Sequence, residues 1–294
     1  MKNQLSTRSQ ARRAGLLYVL QGSLAPFAYL YVPGILLVEG SALATADRVR
    51  ASENLLRAAI VAELYGVTVL VFASLALYQL FKNVDQKSSI LMAALMLVSV
   101  PISYVNALFH IAPLVLLKSP AIAALHLEPG HVAAQVTFFL RLHNYGLVVN
   151  QIFWGLWLFP MGALVIRSGF IPRWLAFPLF FAGAGYVLHS LGALLPPSLR
   201  SLTQYGQILG VGEMPFSFYL LIWGARGYAS DRLATFLVLL SFVIGTGALV
   251  LLNLERIDPI QYAALVLASL VVVCGLVIRW RWSESSMRAA GARA

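Results

Sequence analysis

The stretch of sequence that decides the fold is NLLRAAIVAELYGVTVLVFASLALYQLF, residues 54–81. It is apolar over almost its whole length and exceeds the ~20 residues that a helix needs to cross about 30 Å of hydrocarbon. A helix satisfies its own backbone hydrogen bonds, which lipid cannot do. The stretch therefore predicts a membrane-spanning helix.

Comparable stretches recur along the chain. Of its 294 residues, 60% are hydrophobic and 11% charged, against about 25% charged in a soluble domain, which excludes a soluble globule. We predict an all-α, polytopic transmembrane bundle with eight spans at 15–37, 54–81, 88–117, 142–166, 174–195, 206–224, 233–253 and 260–280. Its predicted parts are a basic N-terminus (1–14), a six-span core (15–227), a two-span C-terminal extension (228–281) and a tail (282–294).

The basic residues divide unevenly between the two sides of this bundle. With the N-terminus inside, 14 of the 21 lysines and arginines fall on the inner side and 7 on the outer side. Because cytoplasmic loops carry the excess of Lys and Arg, this favours an N-in, C-in orientation. The net charge of +10 is spread over short loops, so it indicates a lipid bilayer as partner and no nucleic acid.

Two segments are harder to assign. The first apolar run is longer than the 7–15 residues typical of a signal peptide, so we interpret it as a retained span. Residues 119–141 contain Pro120, which can open a helix, and Glu128-Pro129-Gly130, which breaks one. We predict an outer loop with one or two helices in the membrane interface.

The chain contains none of the HExxH, GxSxG, Walker or dinucleotide-binding motifs. All four aspartates lie in predicted loops, which leaves Glu63 and Glu213 as the acids at membrane depth. A buried carboxylate must be paired, hydrated or protonated, so such residues are functional candidates.

Polar side chains from several spans fall at similar depth, near the outer half of the bilayer. Candidate ligand-binding residues in this layer are Arg57, Glu63, His143, Asn150, Gln151, Tyr186 and Glu213, and weaker metal candidates are His110, His143 and His189. In one interpretation they border the interface and are structural. In the other they form an outward-facing polar cavity that binds or transports a small molecule or lipid.

Two further alternatives follow from the residue types. Imidazoles with a carboxylate suit zinc or another divalent ion, and two histidines can ligate a haem. An intramembrane metal- or haem-dependent enzyme using His143 with Glu63 and Glu213 is therefore one alternative, and a structural or stress-response subunit without a ligand is another. We predict that these three residues face one another across a polar space between the second, fourth and sixth spans.

Several motifs resemble a known family of bacterial membrane proteins. They are Arg13-Ala14-Gly15-Leu16-Leu17-Tyr18, Glu53-Asn54-Leu55-Leu56-Arg57, Glu63, His143-Asn144-Tyr145-Gly146, Phe153-Trp154-Gly155-Leu156, Arg167-Ser168-Gly169-Phe170-Ile171-Pro172-Arg173, Gly185-Tyr186 and Glu213. The family is domain of unknown function 4386, and the resemblance covers residues 13–227. It implies a six-span core in a bacterial cytoplasmic membrane and no particular activity or cofactor. His110, His189 and the last two predicted spans are not part of the motifs that carry it.

Overall fold

The computed structural model describes residues 2–193, 195–196 and 209–225. The predicted seventh and eighth spans lie outside these residues. The described part is helical, without strands. Its α-helices are α1 (Lys2–Ser23), α2 (Val32–Leu36), α3 (Ala42–Ala51), α4 (Glu53–Phe81), α5 (Gln86–Lys118), α6 (Pro120–Ala123), α7 (Pro129–Ser168), α8 (Ala176–Gly192) and α9 (Glu213–Ile222). A π-helical turn, Phe27–Tyr31, connects α1 to α2, and 3₁₀ turns at Arg173–Leu175 and Gly210–Gly212 precede α8 and α9.

Among the described residues, five helical segments are long and apolar enough to cross a membrane. They are Thr7–Leu36, Glu53–Phe81, Gln86–Lys118, Pro129–Ser168 and Arg173–Gly192, and Gly210–Ile222 is a shorter apolar helix. The predicted all-α membrane fold is confirmed, and the first five predicted spans overlap the five long segments. The sixth predicted span, 206–224, overlaps the shorter helix Gly210–Ile222. The count of eight spans and the N-in orientation stay predictions.

The prediction for residues 119–141 was wrong in its second half. Residues 129–141 form no separate loop or helix, because α7 starts at Pro129 and runs unbroken for 40 residues. Between α5 and α7 the chain forms only the short helix α6. Pro129 lies in the first helical turn, where its missing N–H costs nothing, so it starts the helix instead of ending one. Ala133, Val136 and Leu140 are buried in one core cluster with residues of α3 and α4, and this packing extends the helix.

Two contacts join the ends of α4, α5 and α7. Phe81 stacks on Phe170 with ring centroids 6.1 Å apart, and Asp85 forms an ion pair with Arg167. Asp85 also caps α5 by accepting hydrogen bonds from the backbone N–H of Lys87 and from Ser88. The Ser88 hydrogen bonds, with the guanidinium of Arg167, hold the pKa of Asp85 below its ordinary value. This end of the bundle is therefore held by a capped helix and a cross-helix ion pair.

The turn after α7 is built on a glycine. Gly169 ends the helix with φ of +67°, a left-handed conformation that costs a side-chain-bearing residue roughly 1–2 kcal/mol. Ile171 is fully buried in the same turn. The Ser168–Arg173 loop thus combines a glycine helix cap with an apolar anchor.

Helix α9 packs against α1. The guanidinium of Arg12 donates a hydrogen bond to the carbonyl of Ile222 at 2.8 Å, and Tyr18, almost two turns further along α1, reaches Glu213. The two helices therefore run antiparallel, and Glu213, at the start of α9, lies beside the middle of the first apolar segment.

Candidate functional site

Three ionisable side chains from three different helices meet inside the bundle. Glu63 of α4, His110 of α5 and His143 of α7 are each 1% exposed. His110 Nδ1 lies 3.2 Å from Glu63 Oε2, and His143 Nε2 lies 3.1 Å from both carboxylate oxygens. The two imidazoles stack with centroids 3.9 Å apart and an angle of 21° between their planes. We call Glu63, His110 and His143 the carboxylate–imidazole cluster.

Helix packing brings these residues into one place. The amide Nδ2 of Asn106, one turn before His110, donates a hydrogen bond of 3.0 Å to the backbone carbonyl of His143. This bond is possible because Gly146 has no side chain: a Cβ there would lie 1.8 Å from Asn106 Oδ1. The contact locks α5 and α7 in the register that stacks the two histidines.

The π-helical turn Phe27–Tyr31 supplies a fourth wall. Its Tyr29 ring lies 6.4 Å from the His143 ring and 6.2 Å from Trp154, centroid to centroid. A π turn inserts one extra residue into a helix and is often found at functional sites. Here the turn presents an aromatic ring, with a hydroxyl, to the carboxylate–imidazole cluster.

Glu213 belongs to a second group. Its carboxylate accepts a hydrogen bond from the Tyr18 hydroxyl and also interacts with Tyr186. Trp154 stands between the two groups, 6.1 Å from Tyr186 and 6.2 Å from Tyr29. The two carboxylates therefore have different direct partners: Glu213 contacts the tyrosine of α1, against which α9 lies, while Glu63 contacts His143 and, in place of Glu213, His110. A polar space shared by Glu63, His143 and Glu213 stays a prediction.

The other predicted residues make separate contacts. Asn150 Nδ2 donates to Ser103 Oγ at 2.7 Å, and His189 Nδ1 lies 2.7 Å from Gln151 Oε1. His189 is thus outside the carboxylate–imidazole cluster, and of the three histidines named as metal candidates only His110 and His143 lie together. Arg57, with its side chain 55% exposed, pairs with Glu53, which also binds Lys118. Arg57 therefore lies in an exposed ion-pair network.

Sequence reasoning missed three contributors: Tyr18, Tyr29 and the connecting role of Asn106. The two tyrosines lie in the first apolar run, where aromatic residues are ordinary in membrane helices, so their type carried little signal. Asn106 shares a helix face with His110, which a one-turn spacing indicates. Its partner on α7 could not be read from the sequence.

The cluster has the donor set of a divalent-metal site. One nitrogen of each histidine and one oxygen of Glu63 all lie within 4.8 Å of one another. Bonds of about 2.0–2.2 Å in a tetrahedral arrangement place neighbouring donors about 3.3–3.6 Å apart, a little more than the 3.1 and 3.2 Å between the carboxylate and the two imidazoles. The two rings stack at 3.9 Å with 21° between their planes, so at least one imidazole would have to turn before both nitrogens could point at the same ion.

Fold and cluster define a multi-pass helical membrane protein with a buried carboxylate and two histidines at its centre. The chain belongs to the family described as domain of unknown function 4386, whose model matches residues 13–224. All members of the carboxylate–imidazole cluster and Glu213 lie within the matched region.

A protein of Archaeoglobus fulgidus, named "Uncharacterized protein", is similar to part of the chain. The two are 31% identical over 104 residues, which is 33% of this chain and 60% of the relative. The similarity thus spans less than two thirds of the relative's length. No solved structure matches the chain.

Proposed function

We propose that this protein is a metal-dependent protein of the bacterial cytoplasmic membrane that binds one divalent ion through Glu63, His110 and His143. The observation that carries the proposal is the meeting of three ligand-type side chains, each 1% exposed, from helices far apart in sequence. Buried polar groups of this kind are costly in lipid, and a shared metal ion satisfies all three.

The types of the three ligand residues narrow the choice of metal ion. Two histidines with one carboxylate are found in catalytic zinc sites and in non-haem iron(II) sites. Three protein ligands leave a position open for water or a substrate oxygen, so the site suits catalysis better than a purely structural role. A divalent ion with one carboxylate and two neutral imidazoles keeps one net positive charge, and low surrounding polarity favours an anionic fourth ligand such as hydroxide.

The geometry supports this function over two of the alternatives from the sequence, the outward-facing polar cavity and the haem site. An outward-facing polar cavity requires accessible polar side chains, whereas Glu63, His143 and Asn150 are each 1% exposed. A haem held between His110 and His143 requires the two rings to approach opposite faces of a porphyrin. Their stacking at 3.9 Å leaves no room for that macrocycle.

The test is elemental analysis of detergent-purified protein after loading with zinc or iron(II), together with an absorbance scan for haem. We expect about one ion per chain, and less than about a tenth of that in Glu63→Gln and His143→Ala, because each removes a ligand. His189→Ala is the matched control, since His189 is a membrane histidine outside the cluster. Equal metal in all variants, or a Soret band, would contradict the proposal.

A further inference from the structure

An apolar groove runs between α5 and α7 beside the carboxylate–imidazole cluster. Its volume is about 460 Å³, within the size range of ligand pockets. Its walls include Pro101, Val105 and Phe109 of α5 and Leu142, Tyr145 and Val149 of α7. Val105 and Tyr145 are 56% and 55% exposed, so the groove opens on the outer face of the described bundle. In a bilayer that face meets lipid.

The groove has one polar lining residue with an unsatisfied atom. Asn106 lines it and is 3% exposed. Its Nδ2 donates to the His143 carbonyl, whereas its Oδ1 has no hydrogen-bond partner among the described residues. An amide oxygen left unpaired in an apolar environment costs about 1–3 kcal/mol. The oxygen is buried against Gly146, so a ligand with an O–H or N–H donor would satisfy it after a small shift of the amide toward the groove.

The same residue connects the groove to the cluster. Asn106 is one turn from His110 and holds the backbone of His143. Gly146, another lining residue, follows His143 by three positions on α7. A chain lying in the groove with its polar end at Asn106 therefore places that end next to both histidines.

We propose that the groove binds the hydrocarbon chain of a membrane lipid carrying a hydroxyl, which enters sideways from the bilayer and presents this hydroxyl at Asn106, next to the metal site. The placement of the hydroxyl beside a metal ion rests on the proposed function. The binding of the chain itself depends only on the groove. A long-chain alcohol is the simplest molecule with both features.

The experiment uses the full chain in lipid nanodiscs with a photoactivatable long-chain alcohol that carries a diazirine. We expect label within residues 101–109 and 142–149. Unlabelled hexadecanol should compete about fivefold better than hexadecyl methyl ether, because the ether lacks the donor for Asn106. Zinc should increase labelling of the natural chain but not of Glu63→Gln.

Groove-filling variants provide the structural control. Val105→Trp and Val149→Trp should lower labelling at least about tenfold and leave metal content unchanged, because neither residue belongs to the cluster. Leu108→Trp is the matched control, since Leu108 is 59% exposed on α5 and does not line the groove. It should label as the natural chain does.

The two proposals fail in different measurements. Label spread evenly over the lipid-facing helices, or equal competition by alcohol and ether, overturns the groove proposal whatever the metal content. If the chain binds zinc but zinc does not change labelling of the groove, the hydroxyl does not reach the ion, and that part of the proposal is overturned. Absence of metal after loading contradicts the proposed function, and the Val105→Trp and Val149→Trp comparison still decides the groove.

Discussion

The Nε2 atom of His143 lies 3.1 Å from both carboxylate oxygens of Glu63, although 80 residues separate them in sequence. Only a close approach of α4 and α7 produces this contact, and His110 of α5 completes it. On its own, each of the three helices would expose one ionisable side chain to lipid. The three together form a self-satisfied group that a metal ion can enter by replacing protons.

Metal affinity should fall on acidification. Binding requires both imidazoles neutral and the carboxylate ionised, so protons compete with the ion. Zinc retention in equilibrium dialysis should decrease at least about tenfold between about pH 7 and about pH 5. A flat profile over this range would contradict the prediction.

Tyr18→Phe should destabilise the protein without affecting its metal. The variant removes the hydroxyl that donates to Glu213 and leaves the carboxylate with one fewer partner, at a cost of roughly 1–3 kcal/mol. The measurement is the thermal unfolding midpoint in detergent, with Tyr65→Phe as control because Tyr65 is 37% exposed. Metal loss in Tyr18→Phe would show that Glu213 and the carboxylate–imidazole cluster act as one site after all.

Gly146→Ala should disturb the cluster from a distance. The added Cβ would lie 1.8 Å from Asn106 Oδ1, so the amide must move and its bond to the His143 carbonyl is lost. We expect a stability loss of roughly 1–3 kcal/mol and zinc affinity weakened about tenfold, as for lost support around a metal ligand. Gly130→Ala, also on α7, meets no atom within 4 Å and should behave as the natural chain.

Gly169→Val should lower the folded yield. Its φ of +67° suits glycine, and no atom lies within 4 Å of a Cβ there, so the penalty comes from the backbone alone. Gly169→Asn should cost less, because asparagine tolerates the left-handed conformation better. The yield of monodisperse protein in size-exclusion chromatography measures both. Normal yield with lost metal binding would instead give the loop a functional role.

Topology follows from the distribution of basic residues. Reporter fusions after Arg173 and Arg232 should read cytoplasmic and one after Arg200 external, because 14 of the 21 basic residues lie on the predicted inner side. A cytoplasmic reading after Arg200 would reverse the orientation.

Hydropathy by itself determined that this chain is an all-α membrane protein and where its first six apolar segments lie, because the bilayer acts on each helix separately through local composition. It also singled out Glu63 and His143, since ionisable residues at membrane depth stand out against lipid.

Only the tertiary structure decided which polar residues meet. His110 joins Glu63 because α5 packs against α4, and Glu213 contacts Tyr18 because α9 packs against α1. A residue's partner across helices depends on their rotation and register, which arise from packing contacts such as that of Asn106 with Gly146. Such contacts are distant in sequence and leave no periodic signal in it.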